Sequence, residues 1–597
     1  MCGIYGYCGR GEALAPVLEG LSRLEYRGYD SAGVAFFDAQ GEIKTLKTTG
    51  RVQNLIAMAA GQEDAGTAIA HTRWATHGGI SVKNAHPHTA GRVTLVHNGI
   101  IENFRELRAE LNYTPVSDTD TEIMAALIDS EYRNDPVQAI LAAQKRLKGS
   151  YALAILFSDR PGCIFTVRRE SPLALMQTET GCFLSSDPST FPQCGEYYVP
   201  DEHTVAEITP EGMRFFAGAA QKLELAATNR TQGREGHEHY MLKEILEEPE
   251  TIRRTVNRYI TADGRVDFSC DGVEDSLFDV KRINVVACGT AMHAGLVAAH
   301  YFRKIAGVEV TSFIASEFCD AGVRVEPDSL TIFVSQSGET ADTLAALRSV
   351  KAQGGKVLAI INRQGTVMER ECGHVLHTSC GPEIAVASTK AFTAQIAVLY
   401  LTAIRMAALR GLLDAAGEKA ETAALCAAES IARETLKLRP AIIRMADEIH
   451  TAKDVFFLGR AVDYAIACEG ALKLKEISYI HAESIAAGEL KHGTISLIEP
   501  GVPSVCFLTQ ETTRSRVLLS VQEVLSRGGS VYLFTTGDMQ GVEDVENLTV
   551  CRMPVEKGFS AVYAEAVCLQ LLAYETAKRM GLPIDTPRNL AKSVTVA

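Results

Sequence analysis

The sequence holds a single tryptophan, no Cys-x-x-Cys pair and no long uninterrupted apolar run. Its most apolar stretch, Ile396–Ile404, is closed off by Gln395 and Arg405. That falls well short of the roughly 20 apolar residues a membrane span takes, and it reads as a buried helix. At the N-terminus, MCGIYGYCGRGEAL, no basic segment leads into an apolar core, so a secretory signal is not expected and the chain reads as cytoplasmic. A GxxxxGKS/T phosphate loop and an HExxH zinc pattern are absent too, which argues against a nucleotide triphosphate and against a metal. Basic charge is also in deficit. With 59 Lys and Arg against 73 Asp and Glu the net charge is −14, which offers no electrostatic footprint for nucleic acid or an anionic membrane.

What is present belongs to a folded, soluble protein of several domains. Apolar residues at 46% and charged residues at 22% exclude extended disorder, collagen-like repeats and coiled coil, and 597 residues exceed what one core can serve. Fifteen cysteines, an odd number scattered from Cys2 to Cys568, argue against a disulfide framework or structural zinc. Most of them are expected to be small buried residues.

Residues 2–225 alternate short β-rich runs, among them Val93–Val96, Ala152–Phe157 and Cys163–Val167, with helical periodicity at Phe104–Leu111 and Glu122–Ile128. That texture implies an α+β domain. Residues 226–239 lose their apolar side chains and read as a linker. Beyond it, strands lead into long Ala-rich helices, as in INVVACGT followed by AMHAGLVAAHYFRKIA, the signature of α/β domains with parallel sheets. Two such domains are expected, over 240–440 and 441–580, ahead of a C-terminal tail at 581–597. A weak repeat supports the pair. Val455–Arg460 (VFFLGR) resembles Val285–Thr290 (VVACGT), and VYLFTTGD near Val531 resembles the strand of LTIFVSQSGE.

Several short patterns suit catalysis. Removal of Met1 would leave Cys2 with a thiol and a free α-amine of pKa near 7.7 to 8.0, the arrangement of an N-terminal nucleophile. Asn98-Gly99 reads as a functional turn ahead of the helical IIENFRELRAEL rather than as a simple hairpin. His71, His77, His86, His88 and His97 fit no metal-ligand spacing and read as structural. Ser335-Gln336-Ser337-Gly338-Glu339-Thr340 follows a strand and opens a helix, where hydroxyls and amides can hold a phosphate dianion. Glu469, Lys473 and Glu476 stand at i, i+4 and i+7 and so share one helical face.

Cys2-Gly3-Ile4, Glu25 to Gly33 (EYRGYDSAG), His71 to Gly78 (HTRWATHG), His97-Asn98-Gly99 and Thr119 to Glu122 resemble, in this order, the glutaminase domain of the glutamine:fructose-6-phosphate amidotransferases. SQSGETADT is similar to the phosphate loop of sugar isomerase (SIS) domains. EGALKLKEISYIHAE with GELKHG, and the PRNLAKSVTV ending, resemble the isomerase half of the same family. The resemblance spans nearly the whole chain. It implies an N-terminal-nucleophile domain of αββα type, two α/β SIS domains, and a tail folded across the active site.

It implies further that Cys2 attacks glutamine, that Asn98 and Gly99 form the oxyanion hole, and that Arg73 and Asp120 hold the α-carboxylate and α-amine. Arg27, Trp74, Thr76 and His77 complete the glutamine contacts, with Trp74 as a gate for ammonia. On the sugar side it assigns proton transfer to Glu476, assistance to Lys473, ring opening to His492 from across a subunit boundary, and an imine to Lys592. Thr290, Ser335, Gln336, Ser337, Thr340, Val386, Ser388 and Glu469 would bind the sugar phosphate. The implied activity makes glucosamine 6-phosphate from L-glutamine and fructose 6-phosphate in a homodimer without cofactor or metal. Ala291 and Thr494 depart from the family pattern, where Ser and Pro are usual. A sugar-phosphate deglycase or isomerase with a vestigial glutaminase, or a sugar-phosphate sensor, remains as an alternative.

Overall fold

The computed structural model describes residues 2–74, 78–225, 233–537, 545–555 and 558–594. Thr76, His77 and the fate of Met1 therefore lie outside the described residues. The chain divides into two compact units, Met1–Gln232 with Ser593–Ala597, and Gly233–Lys592.

The first unit is built on an eight-stranded and a six-stranded sheet. Gly3–Gly9 runs antiparallel between Gly181–Ser185 and Thr67–Arg73, with Ser31–Phe37 on the far side of the latter. Side chains along these strands alternate between two apolar environments, because a strand's period is two. Ile4, Cys8, Ala35, Phe37 and Ile69 point into the core between the sheets. Tyr5, Tyr7, Val34, Phe36 and Ala68 point the other way, where helices Leu14–Arg23 and Val52–Ala59 cover them. The six-stranded sheet is likewise backed by helices Asp120–Glu131 and Pro136–Gln144 through Leu95, Leu153 and Ile155. The layers are helix, sheet, sheet, helix.

The turn expected at Asn98-Gly99 is not formed. The strand at Val93 continues to Ile101, so Asn98 and Gly99 are not a turn. They are paired with Ala152 and Tyr151 inside the six-stranded sheet. Gly99 has φ 135°, and a β-carbon on it would sit 2.1 Å from Ser150 O, which restricts this position to glycine.

The second unit holds two five-stranded sheets whose strands all run parallel. Their orders match: Glu309–Ile314, Arg282–Ala287, Ser329–Ser335, Lys356–Ile361, Val375–His377 in one, and His481–Ala486, Asp454–Gly459, Pro503–Leu508, Ser530–Thr535, Leu548–Arg552 in the other. The repeat at Val455 thus pairs with Val285 as expected. The pairing of VYLFTTGD with LTIFVSQSGE is wrong by one strand: Ser530–Thr535 is the counterpart of Lys356–Ile361, and Ser329–Ser335 is matched by Pro503–Leu508. Buried parallel strands are all short apolar runs, so similarity of composition does not fix which strand corresponds to which.

Helix Lys390–Leu409 is longer than its apolar stretch suggested. Its 20 residues are enough by length and composition to cross a membrane, yet 83% of its most apolar window is buried within the protein, as a core helix of this unit. The cysteines are also less buried than expected. All fifteen are free; seven are buried, four partly buried and four exposed.

Candidate active sites

Cys2 lies just before Gly3–Gly9, and Arg73 and Trp74 stand at the end of the neighbouring strand. Trp74 N–H donates to Cys2 Sγ at 3.4 Å, and Asn98 Nδ2 donates to Cys2 O at 3.1 Å from the other sheet. Gly3 permits this closeness, because a β-carbon there would meet Thr72 Oγ1 at 2.7 Å. Burial pushes the Cys2 thiol up, while the Trp74 amide and the Arg73 charge act to lower it. Arg73 is buried and donates to Gly78 O at 3.2 Å and Gly79 O at 3.4 Å. Burial lowers its pKa, against the opposing pull of Cys2, Asp30 and Asp120. Asp120 opens its helix and accepts from Ile101 N–H at 2.9 Å. Cys2, Arg73, Trp74, Asn98 and Gly99 are thus gathered from three strands. Arg27 is engaged elsewhere, with Asp187 at 3.2 Å. Among the described residues no group of three or more His, Cys, Asp or Glu is arranged to hold a metal. His71 and His86 instead stack with centroids 4.0 Å apart.

The phosphate-type loop lies at the carboxyl end of Ser329–Ser335, where open α/β sheets bind ligands. Ser335 Oγ accepts from Gly338 N–H at 3.0 Å and contacts Thr340 Oγ1 at 3.2 Å; Ser337 Oγ accepts from Glu339 N–H at 3.2 Å. Gly338, at φ 65°, packs so closely on Thr366 that a β-carbon would fall 2.4 Å from its Oγ1. Gln336 Nε2 is buried and has no partner among the described residues, a donor that an anion would satisfy.

Helix Val462–Ser478 carries Glu469, Lys473 and Glu476 on one face. Glu469 and Lys473 are fully buried, and Lys473 Nζ lies 3.4 Å from Glu469 Oε1 and 2.6 Å from Glu476 Oε2. Thr290 joins the group, accepting from Lys473 at 2.9 Å and donating to Glu469 at 3.0 Å. Burial favours neutral forms, so it raises Glu476, with Lys473 partly opposing. For Lys473 burial acts downward, but the two carboxylates outweigh it and the net shift is upward. Ala291 stands in the first turn of Gly289–Tyr301 and offers no hydroxyl.

The tail is tied down. Asp585 accepts from Tyr240 N–H and Met241 N–H at 2.9 and 3.0 Å, its carbonyl accepts from Val386 N–H at 3.0 Å, and Arg588 stacks 4.1 Å from the Tyr479 ring. Lys592 ends in an ion pair with Glu383, both side chains being almost wholly buried. Glu383 also accepts from Ser388 Oγ at 2.8 Å and from Thr389 and Ala391 N–H at 2.9 and 3.0 Å. Burial acts to raise Glu383, but Lys592 and these donors hold it well below the carboxylate range. Sequence reasoning missed Glu383, although an acid in the otherwise apolar GPEIAVAS was a signal. It also missed His293, whose Nδ1 lies 2.7 Å from Glu469. His492 is exposed and joins neither group among the described residues.

A thiol beside an amide-lined strand, joined in one chain to two parallel-sheet domains with a phosphate-type loop, defines a glutamine amidotransferase carrying SIS domains. Residues 72–193 match the glutamine amidotransferase domain family, and residues 276–405 and 448–577 each match the SIS domain family. The chain is 40% identical over 611 residues to the glutamine–fructose-6-phosphate aminotransferase (isomerizing) of Clostridium tetani, and 43% over 612 residues to that of Symbiobacterium thermophilum, with full coverage of both chains in each case. Among solved structures it resembles the C-terminal domain of glucosamine-fructose-6-phosphate aminotransferase from Francisella tularensis. That match has TM-score 0.58 and 37% identity, covering 59% of this chain and all of that one. The chain belongs to the family of isomerizing glutamine–fructose-6-phosphate aminotransferases.

Proposed function

We propose that the protein hydrolyses glutamine at Cys2 and uses the ammonia to convert fructose 6-phosphate into glucosamine 6-phosphate. The observation that carries this reading is one chain holding both Cys2, under the Trp74 amide with Asn98 beside it, and the Glu469–Lys473–Glu476 triplet, its first two members fully buried, next to the Thr290 hydroxyl. Cys2 attacks the side-chain amide, and Asn98 Nδ2 and Gly99 N–H receive the oxyanion. Arg73 and Asp120 take the α-carboxylate and α-amine; Trp74, Thr76 and His77 complete the glutamine contacts.

The sugar phosphate docks on Ser335, Gln336, Ser337 and Thr340, with Val386 and Ser388 nearby. Lys592 forms an imine with the keto sugar, and Glu476 moves the proton between C1 and C2. A carboxylate of raised pKa suits that step, because a base works best when its pKa lies near the operating pH. Lys473, held as a cation between two acids, steadies the charge. The exposed His492 acts in a partner subunit's site, which makes a homodimer the working form. The domains run over 2–225, 240–440 and 441–580, joined by 226–239 and followed by 581–597, in a cytoplasmic enzyme.

Incubation with glutamine and fructose 6-phosphate should yield glutamate and amino sugar together. Cys2→Ala should abolish glutamate release, leave isomerisation of the sugar phosphate, and allow amino-sugar formation from added ammonia. Glutamate release by that variant would reassign the nucleophile.

A further inference from the structure

We propose that His71 is a positioning residue that holds the Asn98 amide with its hydrogens turned toward Cys2. This rests on the reading of Cys2 and Asn98 given above. An asparagine amide is close to symmetric in shape, and turning it over would place an acceptor where the oxyanion needs a donor. Something must therefore fix its sense.

His71 sits on Thr67–Arg73, opposite Ile4 on one side and Gly33 on the other, and has no exposed surface. Its Nε2 lies 2.9 Å from His97 O and 3.1 Å from Asn98 Oδ1. A carbonyl only accepts, so Nε2 carries the hydrogen. Its position lets that hydrogen serve both acceptors only if the oxygen of Asn98 faces the ring. Nδ1, the other nitrogen, is buried with no partner among the described residues. That is tolerable for an acceptor lone pair and costly for a second N–H. Burial accordingly pushes the imidazole down to about 3, so it stays neutral with one N–H.

The ring itself is held by stacking on His86 at an interplanar angle of 19°. His86 Nδ1 in turn accepts from His97 N–H at 3.3 Å, which places its own hydrogen on Nε2, directed at Thr121 Oγ1 3.3 Å away. Gly33 makes room for this arrangement, because a β-carbon there would collide with His86 O at 2.1 Å. With Oδ1 committed to His71, Nδ2 points to the Cys2 side, where it donates at 3.1 Å.

The test is steady-state glutamine hydrolysis by the full-length chain in a double-mutant cycle. His71→Leu should lower kcat about 10- to 100-fold, somewhat less than outright loss of an oxyanion donor, while KM changes by no more than about twofold. His71→Gln, whose amide N–H reaches the place of Nε2, should recover most of the rate. In an Asn98→Ala background His71→Leu should cost less than about twofold, because its effect passes through Asn98. An equal loss in both backgrounds, or a His71→Leu enzyme with wild-type kcat, overturns the proposal. An Asn98→Ala enzyme with wild-type kcat overturns the oxyanion reading along with it. If the Leu variant does not fold, Gln against Asn at position 71 decides. Asn reaches only the place of Nδ1, so an Asn variant equal to the Gln variant overturns the proposal.

Discussion

Ala461 shows how a single residue can carry strain next to a working element. It caps the helix that bears Glu469, Lys473 and Glu476, with φ 55° and ψ −123°, a conformation a side chain resists and glycine does not. Ala461→Gly should therefore stabilise the protein by about 1 kcal/mol, the strain released less the extra freedom of glycine in the unfolded chain, read as a higher urea midpoint at unchanged slope. A lower midpoint would show that Ala461 is not strained. Cys2, Ser335 and Lys473 stood out in the sequence as candidates because each falls in a local pattern. Glu383 did not, because its partner Lys592 is 209 residues away and only folding makes the pair. Asn98-Gly99 stood out as a candidate, but its local structure was misread. An Asn-Gly pair favours a turn, and the pull of the sheet around Ala152 and Tyr151 overrides that local preference.

At the scale of elements, a charged histidine fastens the support of the phosphate-type loop. His377 ends the edge strand Val375–His377, with its ring between Asp271 at 3.3 Å and Glu369 at 3.2 Å. Glu369 lies in helix Val367–Cys372, whose first amide donates to Glu339 at 3.0 Å and whose second donates to Gly338 O at 3.1 Å. Burial acts to lower His377, but the two carboxylates raise it to about 9. A group raised in the folded state contributes stability that is fully present below its unfolded value near 6.5 and is lost as pH rises through 9. Between pH 6.5 and 9.5 the wild-type midpoint in urea, followed by far-UV circular dichroism, should fall more than that of His377→Leu. Parallel curves would mean that the ring is neutral throughout. Strand and helix types were readable from periodicity, and so was the alternation that makes the sheets parallel. Strand correspondence between the two halves was not, since the central strands there are all short and rich in apolar residues.

On the scale of the whole molecule, the two matching sheets have diverged at one place. Where the first carries Ser335 to Thr340, the second continues from Pro503–Leu508 into Thr509, whose N–H and Oγ both donate to the buried carboxylate of Asp463 at 2.9 and 2.6 Å. The donors proposed to hold a phosphate in one half have as their counterpart in the other a donor pair already taken by an internal anion. Calorimetric titration of the Cys2→Ala chain with fructose 6-phosphate should accordingly give one site per chain, and two sites would show that Asp463 yields to the ligand. Trp74 bears on every such measurement. As the sole tryptophan, beside the Cys2 thiol and edge-on to Tyr29 at 5.8 Å, it makes selectively excited emission a property of one unit alone, whereas Ala461 and His377 both belong to Gly233–Lys592. An unfolding curve read by tryptophan and one read by circular dichroism therefore sample different populations of residues. Coincident curves would mean that the chain unfolds as a single cooperative body, and separated curves that it melts in two stages.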